Sequence, residues 1–395
     1  MTENLATLFL LRPDVTFLNH GSFGACPRPV FEEYQRWQVQ LESQPVAFLD
    51  PARGLSGWMR DARVALAGVL GTGPDNIVGV TNATAGLNIV AQSLDLRAGD
   101  EILTTDHEYA ALEKTWAYVC RKTGAKVVGV KVPLPLTREE DFTDTLLAGM
   151  TERTKVLFLS HITSPTALVF PIERAVAEAR ARGIWSVIDG AHTPGHIPLA
   201  LDDLGADFYA GNCHKWMMAP KGSAFLYVRP DLQTMINPLV ISHGWTPDAN
   251  TAGAAGVFGN TPFVDFLEMQ GTRDPSAWLT VPAAIDFARQ HGWDNVAASC
   301  RQMAQDTAAR VRALTGRAAF SSPTFCAPQM VAMRVPRQDP MALKLALWET
   351  YRIEIPVFDW QDNTIVRLST QGYNTQNQMD FLVSALEKEA VFPTA

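Results

Sequence analysis

The chain has 395 residues, 47% hydrophobic and 19% charged, with a formal net charge of -8. That length allows one or two domains with a large core, and that composition excludes wholesale disorder. The acidic balance, with no basic run of five or more, argues against a nucleic-acid partner, because phosphate grooves run on clustered Lys and Arg.

The opening stretch MTENLATLFLLRPDVTF starts acidic and is apolar only briefly before Arg12 and Asp14, the pattern of neither a secretory signal nor a transit peptide. No segment reaches the roughly 18 uninterrupted apolar residues of a membrane span. The five cysteines (Cys26, Cys120, Cys213, Cys300 and Cys326) are scattered, with no CxxC pair, so neither a zinc cluster nor a disulfide framework is indicated. The expectation is a soluble, cytoplasmic protein with reduced thiols.

Residues 27–70 read as two helices joined by the stretch QPVAFLDPARG. From about 77 to 228, short strands (DNIVGVTN, DEILTTD, AKVVGVKV, TKVLFLSH, IWSVID, GSAFLYV) alternate with helical patterns such as ATAGLNIVAQSL and PIERAVAEARARG. Such alternation implies right-handed crossovers and a mainly parallel α/β sheet covered on both faces. Ligands of such sheets bind outside the carboxyl ends of the strands, where Asn82, Asp106, Ser160 and Asp189 each close an apolar run. A loop-rich segment follows 228, then helical patterns around 276–315 and an α+β mixture to the end. The expected division is an N-terminal segment (1–25), a large domain (26–285) and a smaller C-terminal domain (286–395) that the N-terminal segment completes.

A constellation in this order suits pyridoxal 5′-phosphate (PLP). Lys215 lies in DFYAGNCHKWMMAPKG between Phe208-Tyr209 and Trp216-Met217-Met218, so a solvated surface lysine describes it poorly. Desolvation there lowers an amine's pKa and favours Schiff-base chemistry. Asp189 ends IWSVID, where it either caps the next loop or pairs with a protonated pyridine nitrogen, with His192 near the ring hydroxyl. Asn82, Ala83 and Thr84 sit between a strand and a helix, as an ordinary N-cap or, beside such a lysine, a phosphate cradle. His107 is a core histidine or an imidazole stacked on the ring, with Tyr109 in reserve for that contact. His192 and His196 are four apart, but Pro194 and Gly195 break any helix between them, so no metal site is indicated.

The ordered set LNHGSFGACP, TNATAGLN, DHEY, SHITSPT, DGAHTPGH, GNCHKW, QGTRD and IVRLS resembles the class V aminotransferases of PLP fold type I, over about residues 15 to 385. HGSFG, TNAT, DHEY and GTRD look most like the isopenicillin N epimerase-like branch. The resemblance implies a large domain with a mainly parallel seven-stranded sheet between helices, and a smaller α+β C-terminal domain. It implies PLP on Lys215, Asp189 at the pyridine nitrogen and His107 stacked on the ring. Asn82, Ala83, Thr84, Asn212 and His214 would face the cofactor and its phosphate. Ser164 and His192 stand where the desulfurase branch has asparagine and glutamine. Thr272 would reach the phosphate of a neighbouring subunit, which implies a homodimer with shared active sites. Arg367 would hold the substrate α-carboxylate, and Asn19, His20, Gly21 and Ser22 would line the pocket.

The implied substrate is a small molecule with an amino-acid α-carbon, its side chain left open, and three reactions stay open: epimerisation or racemisation, C–S or other β-elimination, and transamination. No cysteine shortly precedes Arg367, which disfavours a desulfurase; Cys326 is some forty residues away, and the Cys213 side chain is expected to point away from the cofactor. A degenerate PLP-fold binding protein is the reading from another class, but such proteins normally lack the lysine or the aspartate. Specificity is expected from the 40–55 loop, with Arg53, and the 240–270 stretch, with His243, Trp245 and Phe258.

Overall fold

The computed structural model describes residues 5–247 and 255–389. Its strands are β1 (Thr16–Phe17), β2 (Ile77–Val80), β3 (Glu101–Thr105), β4 (Lys126–Val130), β5 (Thr154–Ser160), β6 (Trp185–Gly190), β7 (Phe208–Asn212), β8 (Ala224–Val228), β9 (Met330–Val335), β10 (Ile353–Glu354), β11 (Val357–Trp360) and β12 (Asn363–Ser369). The main sheet has seven strands in the order β2-β8-β7-β6-β5-β3-β4. β3 to β7 run parallel, and β8 is antiparallel to both of its neighbours.

The inner strands read as apolar runs because both their faces are buried. Leu157, Leu159, Ile188, Tyr209 and Phe225 pack into one core layer, and their chain neighbours Val156, Phe158, Val187, Phe208 and Leu226 into the other. Such a sheet leaves its polar end residues at one edge, and these form the site below.

The stretch QPVAFLDPARG is not merely a linker. It forms a short helix, Pro45–Leu49, and a 3₁₀ turn, Pro51–Arg53, between the helices Arg28–Ser43 and Leu55–Leu70. Both prolines stand at the first helical position, where a missing N–H costs nothing.

A second, antiparallel sheet, β11-β12-β9, packs on the Trp293–Thr315 helix. β1 pairs in parallel with β10, with Thr16 opposite Ile353, so the N-terminal segment lies beside the C-terminal elements. No helix among the described residues is long and apolar enough to cross a membrane.

Among the described residues, one ion pair lies wholly inside. Arg63 Nη1 donates to Glu268 Oε2 at 2.5 Å, and Glu268 Oε1 accepts from Gly79 N–H at 3.1 Å. Replacing Arg63 by methionine strands the carboxylate in the core. The expected loss is about 3–5 kcal/mol of unfolding free energy, read from urea midpoints; a loss under about 1 kcal/mol would show that Glu268 does not need its partner.

Candidate active site

A cavity of about 550 Å³ opens at the carboxyl ends of β5, β6 and β7. Gly21, Ser22, Asn82, Thr84, Ser164, Asp189, His192, Asn212, His214, Lys215 and Arg367 line it, which brings together most of the residues expected from the sequence.

Lys215 lies just past β7. Its Nζ is 3.1 Å from His192 Nε2, and its carbonyl is 3.0 Å from His20 Nε2. The Trp216 indole, which can only donate, gives its hydrogen to His192 Nδ1 at 3.3 Å. That assigns the His192 proton to Nε2, pointing it at the Lys215 lone pair, an arrangement that suits a neutral amine. Burial, with help from Arg367, pushes the Lys215 ammonium down to about 7, against the opposing pull of Asp189. Burial also keeps His192 well below the usual imidazole range.

Asp189, the penultimate residue of β6, is 4% exposed, its Oδ1 accepting from Ala191 N–H at 2.9 Å. Among the described residues no cationic side chain forms a salt bridge with it, and burial raises its carboxyl above the usual range. Arg367, on β12, donates from Nη1 to the Ser164 carbonyl (2.7 Å) and hydroxyl (3.0 Å), and from Nη2 to Ser22 Oγ (3.0 Å). Its Nε is buried with no acceptor. This is a fork of donors without a carboxylate.

The Ala83–Ser93 helix points its N-terminus at the cavity. Asn82 Oδ1 caps it at Ala85 N–H, and Asn212 Oδ1 accepts from Ala83 N–H, both at 2.8 Å. The Asn82 side chain therefore acts as an N-cap, and the helix end and Thr84 are left to meet an anion. Gly24 shows why HGSFG ends in glycine: its φ is +71°, and a Cβ there would lie 1.9 Å from the His214 carbonyl.

Several expected residues lie elsewhere. His107 is fully buried away from the cavity, its Nδ1 2.7 Å from Thr166 Oγ1 and its ring against Trp360 and Phe170. The stacking role expected of it is corrected here: the DHEY turn directs Tyr109, not His107, into the cavity. Ala83 takes part only through its N–H. Asn19 Nδ2 donates to Glu354 and its Oδ1 accepts from Ser22, while His20 is buried against Tyr373 and the Lys215 carbonyl, so both support the wall from behind. Thr272 lies in a second cavity of about 430 Å³, with Leu49, Pro51, His243 and Phe258. The two segments expected to set specificity meet there; Arg53 pairs with Asp50 instead, and residues 248–254 lie outside the described residues. Among the lining residues that sequence reasoning missed are Phe23, Ile162 and Lys221. The PKG turn after Lys215 was the available signal for Lys221. None of the five cysteines lines the cavity, and Cys213 is buried in the core.

A carboxylate buried like Asp189, with one backbone hydrogen bond, stays ionised best beside a cationic partner, and a protonated pyridine nitrogen supplies one. The nearby neutral amine suits an aldehyde, and the helix N-terminus suits a phosphate, so these residues fit PLP. An α/β fold with this cavity defines the class: a PLP-dependent enzyme of fold type I. The profile of the class V aminotransferases matches residues 26–382. The chain belongs to the class V aminotransferase family, and PLP is its cofactor. It is 38% identical over 387 residues to an isopenicillin N epimerase of Amycolatopsis lactamdurans, covering 96% of each chain. It is 26% identical over 413 residues to an L-cysteine desulfhydrase of Arabidopsis thaliana, covering 94% of this chain and 87% of that one. A crystal structure of a cysteine desulfurase from Escherichia coli superimposes with a TM-score of 0.80 at 23% identity, covering 98% and 97% of the two chains, which shows the shared fold.

The Lys215 environment predicts how the PLP-free protein takes up its cofactor. Only the neutral amine attacks an aldehyde, so the rate of reconstitution should rise with pH through an inflection near 7. An inflection above about 10, as for a solvated lysine, would mean that the amine is not desolvated.

Proposed function

We propose that this enzyme inverts the α-carbon of an amino acid, as an epimerase or racemase. The observation that carries the reading is that two protonatable side chains enter the cavity from opposite sides of Asp189. Lys215 follows β7, on one side of β6, and Tyr109 follows β3, beyond β5 on the other. Inversion needs a group that removes a proton on one face and a group that returns one on the other. The relationship to an isopenicillin N epimerase supports inversion, without carrying over that enzyme's substrate.

Bound PLP supplies the electron sink that makes the substrate α-proton removable. Lys215 would hold the cofactor through its amine, and the same amine, neutral when desolvated, would carry the substrate α-proton. Tyr109, which lines the cavity beyond β5, would exchange a proton from the other side. Asp189 would give its negative charge to the cofactor's ring nitrogen, and His192 steadies the Lys215 amine. The Ala83–Ser93 helix end, with Thr84, Asn212 and His214, meets the phosphate. Arg367, set by Ser22 and Ser164, takes the α-carboxylate bidentately. We read the protein as a cytoplasmic homodimer in which the partner subunit's Thr272 reaches the phosphate, and residues 26–285 as the cofactor-binding domain.

Arg367→Lys turns a planar fork into a point charge. The expected result is a KM roughly 10- to 100-fold higher with kcat little changed, from steady-state kinetics. An unchanged KM would place the carboxylate elsewhere.

The test of the proposal is incubation in D₂O with single L- and D-amino acids, without keto acid, followed by chiral chromatography and NMR. Inversion with deuterium at Cα supports it. Release of ammonia and a keto acid supports the second reading, a C–S or β-elimination lyase, which the relationship to an L-cysteine desulfhydrase favours. Stoichiometric conversion of the cofactor to its amine form would make the protein an aminotransferase.

A further inference from the structure

A third cavity, of about 390 Å³, lies between the Trp293–Thr315 helix, β9 and the 318–326 segment. Leu168, Ala308, Phe320 and Met333 give it apolar walls, and Arg312 and Arg334 add two cations. Neither arginine has an ion-pair partner among the described residues, in a chain whose net charge is -8. Arg301 and Arg317 add to the same positive field, the first acting with Arg312 on the Cys326 thiol and the second opposing Arg334. The Arg334 guanidinium lies 4.0 Å from the Phe320 ring centroid, which orients it, yet its Nε is buried without an acceptor among the described residues. Gln305 Nε2, on a second lining residue, is likewise a buried donor with no acceptor. The one lining carboxylate among the described residues, Asp306, accepts from Gln302 at 2.8 Å.

Buried donors without acceptors are costly, and arginines left unpaired beside an apolar pocket call for an anion with an apolar body. The geometry points to a binding site here for a small monocarboxylate with a short hydrocarbon tail, its head on Arg312 and Arg334 and its tail against Leu168 and Met333.

The cavity's position gives this site a regulatory reach. Thr166 and Leu168 form its wall, while Ile162 and Ser164, on the other side of the same turn, line the catalytic cavity. The turn is tightly tied: Thr163 Oγ1 lies 2.8 Å from Thr166 Oγ1, and Ala167 has φ +55°. Ser164 holds Arg367, and Arg367 stands opposite Ala332, which also lines the third cavity. An occupant therefore presses on the turn that sets the arginine fork, and changes the affinity for amino-acid substrate.

The test uses holoenzyme, hexanoate as the probe and hexanol as its uncharged match. Calorimetry should show saturable hexanoate binding at least tenfold tighter than hexanol, lost in the R312M/R334M double variant. It should be kept in Arg310→Met, a control whose arginine already pairs with Asp380 on the surface. Thermal midpoints verify that both variants are folded. Hexanoate should also shift the substrate KM of the wild type and not that of the double variant. Absence of saturable binding, or binding unchanged in the double variant, overturns the proposal. So does a KM shift that survives in the double variant, because the anion would then be competing at Arg367.

Discussion

Lys215→Ala should lower turnover by roughly four orders of magnitude or more, since the proposed reading makes one side chain both cofactor anchor and proton carrier. The loss should fall on kcat, with PLP still held without a covalent bond by the phosphate end of the cavity. That end is built on the Ala83–Ser93 helix and Asn212, neither of which the substitution touches. His192 would lose its nearest partner, 3.1 Å away, but Trp216 still fixes its tautomer. The check is single-turnover kinetics beside an equilibrium measurement of PLP binding. Wild-type rates in the variant would end the assignment of Lys215.

Asp189→Asn should separate activity from stability. The amide can keep the hydrogen bond from Ala191 N–H, but it cannot hold a proton on the ring nitrogen. Activity should fall by roughly three orders of magnitude, the upper range for one preorganised electrostatic partner. The PLP-free protein should be as stable as the wild type or more so, because a buried carboxyl raised by desolvation has been replaced by a neutral group. Parallel kcat/KM and thermal-midpoint measurements decide it. A mild loss of activity with a large loss of stability would make Asp189 a structural residue.

The parts of the molecule that could be read from sequence share a physical reason. Strands buried on both faces, such as VLFLS and WSVID, appear as continuous apolar runs, and their polar end residues mark the ligand edge of the sheet. Lys215 stands out because its chain neighbours are bulky and apolar. What could not be read depends on contacts far apart in the chain. Whether His107 or Tyr109 faces the cavity is decided by Trp360 and Phe170, which cover the His107 ring, and nothing in DHEY encodes them. The support of Lys215 by His20 joins residues 195 positions apart. The third cavity draws its walls from residues 166 to 334, so no local pattern announces it. The helix inside QPVAFLDPARG was hidden because proline reads as a breaker unless its place in the first turn is known.

The central claim is that PLP sits on Lys215, and the cavity supplies a rival in Lys221, whose Nζ donates to the Gly24 carbonyl at 3.0 Å. Borohydride reduction of the holoenzyme followed by peptide mass spectrometry tests the claim most directly. The account predicts one phosphopyridoxyl group per chain, on Lys215; a label on Lys221, or on no lysine, would contradict it.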